Sequence, residues 1–167
     1  MQKIYQNCTI EKLVFGGQGI TRLPTGQVCF VWNALPGEIV DIEIIKARKG
    51  VFEAVATTIH SPSPFRIEPK DNHFLSSSPW QIVEPKQEAQ FKKEIAAETY
   101  SKIADLILSA DQMKFEDNPE AHEHYRNKME FSFTVDEAEN PQLALFIRGS
   151  KDKIVVEDAM LADPAIM

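Results

Sequence analysis

The chain has 167 residues, of which 43% are hydrophobic and 26% charged, with a formal net charge of −7. That is enough apolar material for a packed core and excludes wholesale disorder. No apolar run approaches the ~18 residues of a membrane span, the opening MQKIYQNCTI lacks a signal-peptide core, and Cys8 and Cys29 are too few for a disulfide scaffold or an all-Cys metal site. The reading is a cytoplasmic, reduced protein with no membrane partner.

The charge is unevenly spread. Residues 1–70 hold eight Lys or Arg against six Asp or Glu, while the rest hold ten against nineteen. Only the first part could approach a polyanion without a broad repulsive field, although a surplus of two is also that of an ordinary solvated surface.

In chain order, residues 9–15 read as a strand followed by Gly16-Gly17-Gln18-Gly19, where the backbone can take positive φ. Pro24-Thr25-Gly26 is a turn before the apolar run Val28-Cys29-Phe30-Val31-Trp32, and Leu35-Pro36-Gly37 is a second turn. Val40-Asp41-Ile42-Glu43-Ile44 alternates apolar and acidic residues, the period of a strand with one wet face. Lys46-Ala47-Arg48-Lys49-Gly50 reads as a basic hairpin tip leading into a strand over 51–59. Short strands at this spacing suggest a small closed barrel, which removes exposed edges. Ser61-Pro62-Ser63-Pro64 breaks the pattern, and an irregular segment over 68–80 follows. From about 86 to 108 the period is helical, with Phe91, Ile95, Thr99, Ile103 and Leu106/Ile107 in one stripe. Residues 111–124 read as a polar loop, 129–135 as an alternating strand, Asn140-Pro141 as a turn, Leu143, Leu145 and Ile147 as one face of a further strand, and 154–157 as the last. Leu161-Ala162-Asp163-Pro164 reads as the start of an uncompleted element.

Several groups could carry chemistry. Gly16-Gly17-Gln18-Gly19 lacks the third glycine of a dinucleotide fingerprint and the Lys-Ser/Thr of a P-loop, so it reads as a strand-connecting turn. His122-Glu123-His124 has no third metal ligand nearby and reads as a solvated loop. Asp71, His73 and Ser76-Ser77-Ser78 contain triad residue types without a nucleophile elbow. Lys46, Arg48 and Lys49 with Phe30 and Trp32 fit oligonucleotide binding, in which basic tips follow the backbone and aromatics stack on bases. The same residues equally fit a soluble tip beside two core aromatics. Arg126 and Lys128, at a strand entrance, fit phosphate contact or an ordinary charged surface.

The order of motifs adds a resemblance. Ile10-Glu11-Lys12-Leu13 through Gly17-Gln18-Gly19-Ile20, then Val31 and Leu35-Pro36-Gly37-Glu38, resemble a TRAM domain. Ser63-Pro64-Phe65-Arg66-Ile67-Glu68-Pro69, Gln81, Gln90-Phe91-Lys92-Lys93 and Tyr125-Arg126-Asn127-Lys128 resemble the N-terminal half of bacterial S-adenosylmethionine-dependent RNA (uracil-5-)-methyltransferases, among them those forming 5-methyluridine in 23S ribosomal RNA. The resemblance implies an α+β chain: a small OB-like β-barrel gripping RNA over 1–62, a linker and cluster loop over 63–85, a helix over 86–110 that packs on a methyltransferase domain, and an incomplete, partly α/β central region over 111–167 with a β-hairpin or meander. It implies RNA contacts at Lys46, Arg48, Lys49, Arg126 and Lys128, with Gly17 and Gly19 shaping a barrel loop. The implied partner is RNA, ribosomal above all, rather than DNA, and the chain is expected to be monomeric.

The sequence departs from that family in two places. Many members carry a [4Fe-4S] cluster, but Asp71 and the serines stand where thiolates would be and Ala159 falls near the later position, so no iron–sulfur cluster is expected. The loop is expected to be held by Phe74 and Trp80. Nor do residues 1–167 contain a glycine-rich S-adenosylmethionine loop or a late nucleophilic cysteine. The expectation is an RNA-binding portion that is inactive alone and binds no cofactor, S-adenosylmethionine belonging to the full-length enzyme. The alternative is a stand-alone RNA- or protein-binding adaptor without enzymatic activity, using the Phe91 to Ile107 stripe.

Overall fold

The computed structural model describes residues 3–116, 118 and 122–167. In chain order the elements are β1 (Ile4–Thr9), β2 (Lys12–Leu13), β3 (Gly19–Arg22), β4 (Val28–Trp32), β5 (Ile39–Arg48), β6 (Val51–Ser61), α1 (Phe74–Ser77), α2 (Pro85–Ala104), β7 (Ser132–Val135), β8 (Pro141–Phe146) and β9 (Lys153–Val155). They fall into two compact units. Met1–Ile67 with Ile82–Glu116 make the first, and Glu68–Gln81 with Asp117–Met167 make the second. The expected linear divisions at 62, 85 and 110 do not coincide with these units.

In the first unit six strands form one mixed sheet in the order β1-β5-β6-β4-β3-β2, with β4 and β6 parallel and all other neighbours antiparallel. The two ends of that order, β1 and β2, are consecutive in the chain. Between them the Ile10 amide donates to Glu38 O (2.9 Å) and the Glu11 amide to Ile20 O (2.8 Å). The sheet therefore curls back on itself as a partly closed, OB-like barrel. Alternation sends Val40, Ile42, Cys29, Val31, Ala54 and Ala56 inward, where they pack with Cys8, Ile10, Leu23 and Ala34. Gly19 belongs to this packing: a Cβ there would stand 2.7 Å from Ile10 Cγ2.

The β5–β6 connection is a two-residue turn in which Lys49 (φ 50°) and Gly50 (φ 81°) both lie in the left-handed region, matching the strand twist. The strand expected over 9–15 is instead two strands, with β1 beginning at Ile4. Asn7 at φ 53° and the register shift between Tyr5 and Cys8 mark a bulge that breaks the alternation and hides β1 from periodicity.

Beyond β6 the chain stays with the barrel. Glu38 is fully buried and accepts from the Leu35 amide (2.8 Å), the Ser63 amide (3.0 Å), Arg66 Nε (2.6 Å) and Arg66 Nη2 (2.8 Å). Arg66 also donates to Asn33 Oδ1 and Asn33 O. Residues 65–67 then pair with 82–84, through Ile67 N to Ile82 O and Glu84 N to Phe65 O, both 3.0 Å. Helix α2 starts on Pro85, which suits a first-turn position because its missing N–H would have no helical partner there. It stops short of the expected 108 because Asp105 turns left-handed at φ 53°. Phe91 and Ala97 are buried, while Ile103 and Ile107 are 81% and 92% exposed, so only the start of the apolar stripe is covered.

The second unit is an antiparallel meander, β7-β8-β9. Asp136 accepts from the Ala138 and Asn140 amides and fixes the first turn. Its core is Val156, Ala159 and Ala162 with Met129, Phe131, Leu145 and Ile166. β7 and β9 are shorter than expected, and Ala144, between Leu143 and Leu145, is the fully buried residue of β8. Ile147 lies beyond that strand and is exposed. Among the described residues this unit's helical elements are short, so the expected α/β character is present only in part. In the tail, Leu161 and Ala162 are buried, and Asp163 caps the short turn Pro164–Ile166 by accepting from the Ala165 amide. Of the expected loop over 111–124, residues 117 and 119–121 lie outside the described residues.

Candidate nucleic-acid interface

Strand register decides which side chains share the outer face of the barrel. Lys46 pairs with Glu53, Glu53 with Phe30, Phe30 with Ile20, and Ile20 with Lys12. These five form a row across four strand pairings, on the face opposite Val31 and Ala54. Two residues along, Arg48 pairs with Val51 and Arg22 with Val28. The result is an apolar strip, half-exposed at Ile20, Phe30 and Val28, with cations at both ends.

Glu53 sits inside the first row. Its Oε1 accepts from Trp32 Nε1 (2.7 Å) and Gln18 Nε2 (3.4 Å), and Lys46 Nζ lies 3.9 Å from Oε2. Trp32 is only 8% exposed, so the two aromatics part company. Trp32 is a packed structural residue, while Phe30 presents an edge to the outer face. Arg48 and Lys49 are exposed at the hairpin tip and make no ion pair with the described residues. At the other end Lys12 pairs with Glu98 of α2, which Lys102 also pairs. The hydrogen bonds from Lys102 and then Lys12 hold the Glu98 carboxyl below its ordinary range.

Gly17 (φ 85°) lies in the β2–β3 loop, closed by the Val14 amide on Gln18 O and the Gly17 amide on Val14 O (both 2.9 Å). This loop throws Phe15 outward, 83% exposed. Phe15 stands out in no periodic pattern of the sequence. Its signal is an aromatic placed directly before a Gly-Gly turn, where no core position exists for it.

Arg126 and Lys128 are in the second unit. Arg126 Nη1 donates to Ser77 O (3.0 Å) and its backbone bridges Ala162, so it ties the unit's own segments together. Lys128 pairs with Glu130 at 3.1 Å. Segment 68–81 carries a set of polar contacts, with Phe74 and Trp80 both half-buried. Gln81 Oε1 accepts from the Lys70 and Asp71 amides and its Nε2 donates to Asp71 Oδ2 (2.7 Å), while the Asp71 carboxylate accepts from the Met160 amide. Buried His73 has one ring nitrogen on Ser77 Oγ and the other on Asp158 O, both 2.9 Å. Asp71 therefore does not orient His73, and the triad types are spent on structure. Among the described residues no group of three His, Cys, Asp or Glu side chains is placed to hold a metal. His124 Nδ1 contacts Ala162 O.

The two units differ in charge. The first holds twelve Lys or Arg and twelve Asp or Glu, and the second holds six and thirteen. The entire net charge of −7 resides in the second, which is the unit less suited to a polyanion.

An OB-like sheet with a basic hairpin tip, a Gly-rich loop and a half-open aromatic strip is matched over residues 5–57 by the TRAM domain family. These residues are a TRAM domain. Similarity extends past it. An "Uncharacterized RNA methyltransferase" of Aquifex aeolicus (strain VF5) is 28% identical over 160 residues, covering 95% of this chain and 36% of that protein. The "23S rRNA (uracil(1939)-C(5))-methyltransferase RlmD" of Marinomonas sp. (strain MWYL1) is 27% identical over 163 residues, covering 95% and 35%. RlmD of Legionella pneumophila (strain Paris) is 26% identical over 158 residues, covering 91% and 34%. The chain thus spans about a third of the length of these relatives, and the TRAM domain is the first part of the matched region.

Proposed function

We propose that this chain is the RNA-holding portion of an enzyme that methylates C5 of uracil in ribosomal RNA. The observation that carries the reading is the match of more than nine-tenths of the chain to RNA methyltransferases, led by a TRAM domain. Lys46, Arg48 and Lys49 take phosphates at the hairpin tip, and the strand continues over Phe30 and Ile20 toward Arg22 and Lys12. Phosphate neutralisation supplies affinity and little sequence preference, which suits a module that delivers RNA to chemistry performed elsewhere in the enzyme. Arg126 and Lys128 have a smaller part in this reading, because one is bound to Ser77 O and the other to Glu130.

Uracil C5 becomes nucleophilic only after covalent addition at C6, which calls for a thiolate. Cys29 and Cys8 are both buried in the barrel core, and burial pushes the Cys29 thiol up to about 12 and raises Cys8 as well. Neither serves as that nucleophile. S-adenosylmethionine, which donates the methyl group, belongs in this reading to the part of the enzyme beyond the matched third.

Fluorescence anisotropy of a labelled single-stranded RNA across a salt series tests the proposal. Log affinity falls with log salt, and replacing Lys46, Arg48 and Lys49 by Ala flattens the slope by about 2, given roughly 0.7 per phosphate contact on single strands. An unchanged slope would refute the phosphate track. No binding at low salt would favour the adaptor reading, for which the exposed Ile103 and Ile107 speak.

A further inference from the structure

The first unit carries an apolar groove of about 360 Å³. Val14 and Phe15 of the β2–β3 loop wall it on one side, and Ile95, Thr99 and Ile103 of α2 on the other, with Glu98 and Lys102 at its rim. Two of its walls, Phe15 and Ile103, are more than four-fifths exposed. The Thr99 hydroxyl is turned back onto Ile95 O at 2.7 Å and offers the groove no free donor. Resting on the RNA reading above, we infer that this groove seats one unpaired nucleobase of the bound strand, stacked on Phe15, with the flanking phosphates facing Lys12 and Lys102.

Three observations favour a base over a protein segment. The first is charge. Lys12 and Lys102 share the single carboxylate of Glu98, so one positive charge at the rim is left over for an anion. The second is continuity. Lys12 ends the row Lys46, Glu53, Phe30, Ile20, Lys12, so a strand crossing the sheet from the hairpin tip arrives at the groove. The third is size. An apolar cavity of ~150 Å³ holds a benzene ring, so the groove accepts one base with room to spare, whereas a stable protein partner buries about 800 Å² on each side. Because the lining offers an aromatic face and few hydrogen-bonding groups, the seat accepts any base and selects for an unpaired one.

The test uses a short fluorescein-labelled oligouridine carrying a single 2-aminopurine, and a matched oligonucleotide with an abasic site in its place. With the wild-type chain, 2-aminopurine emission is quenched on binding and the abasic strand binds more weakly. F15A abolishes the quenching and weakens binding between about 5- and 150-fold, the range for losing one base–aromatic stack, while F15W restores both. If F15A and the abasic strand bind as well as their parents while K46A/R48A/K49A still weakens binding, the groove inference is overturned and the RNA reading stands. If the wild-type chain binds neither oligonucleotide, both fall. If F15A leaves RNA binding intact but changes the elution volume of the chain, the groove belongs to a protein contact instead.

Discussion

Breaking the Glu38–Arg66 pair tests what fastens the TRAM domain to the segment that follows it. Glu38 is fully buried and has four donors, two of them from Arg66. R66A removes two charge-assisted hydrogen bonds, each worth about 1.5–3 kcal/mol, and leaves a buried carboxylate with only the Leu35 and Ser63 amides. The expected cost is about 3–5 kcal/mol, a large share of the ~5–15 kcal/mol that holds a domain. For a unit near one hundred residues this is a fall in Tm of about 12 °C or more. R66K keeps the charge but loses the planar fork and with it the Asn33 contacts, so it falls between R66A and wild type. Urea denaturation followed by circular dichroism supplies the four corners of a double-mutant cycle with E38Q and R66M. If the pair acts as described, the double variant is more stable than R66M alone, because no uncompensated charge stays buried. A cost for R66A below about 1 kcal/mol, or single-variant costs that simply add, would refute the reasoning.

Further outcomes follow from other contacts. Asp41 accepts from the Asn7 amide and pairs with His60, both at 2.9 Å, and these bonds, the Asn7 one first, hold its carboxyl below the usual 3.8. Its contribution to stability is present above that value and is lost as pH falls through the depressed one, so D41N flattens the acid limb of the stability–pH curve, measured by Tm at each pH. Cys29, with its thiol near 12, does not react with a disulfide reagent at neutral pH until the chain is unfolded in urea, which absorbance of the released thiolate reports. Q81A strips partners from the Lys70 and Asp71 amides and from the Asp71 carboxylate. It lowers the stability of the second unit by about 1–3 kcal/mol without changing the salt dependence of RNA binding.

Periodicity made the barrel legible wherever one face is wet and the other dry. The run Val28 to Trp32 and the alternation Val40 to Ile44 became β4 and the start of β5, and the Lys49-Gly50 turn lies where the basic tip was read. Periodicity fails where the backbone departs from the repeat. The bulge at Asn7 disguised β1, and the left-handed Asp105 ended α2 although apolar residues continue to Ile107. Tertiary polar contacts were likewise out of reach. Nothing local says that Glu38 meets Arg66 twenty-eight residues later, or that Asp71 caps the Met160 amide eighty-nine residues on. Phe15 escapes sequence patterns for the opposite reason: it is 83% exposed, and a pattern built on burial gives an exposed aromatic no weight.

The charge distribution joins these findings. With balanced charge in the first unit and the whole deficit in the second, attraction for a polyanion in this chain has to be local. At physiological salt the field of an exposed charge fades over about 8 Å, so in the proposed reading the few phosphates close to Lys46, Arg48 and Lys49 at one end of the outer row, and to Arg22 and Lys12 at the other, would dominate the interaction. Glu53, second in that row and next to Lys46, repels a phosphate laid directly over it, whereas its bond from Trp32 and its proximity to Lys46 keep it in place. A strand with phosphates at the two ends and bases over Ile20 and Phe30 avoids that repulsion. A duplex, whose charge is continuous and whose bases are already stacked, does not. In the proposed reading, an acid set beside Lys46 within the row therefore favours unpaired RNA, and replacing Glu53 by Gln would narrow the preference for single strands over duplex.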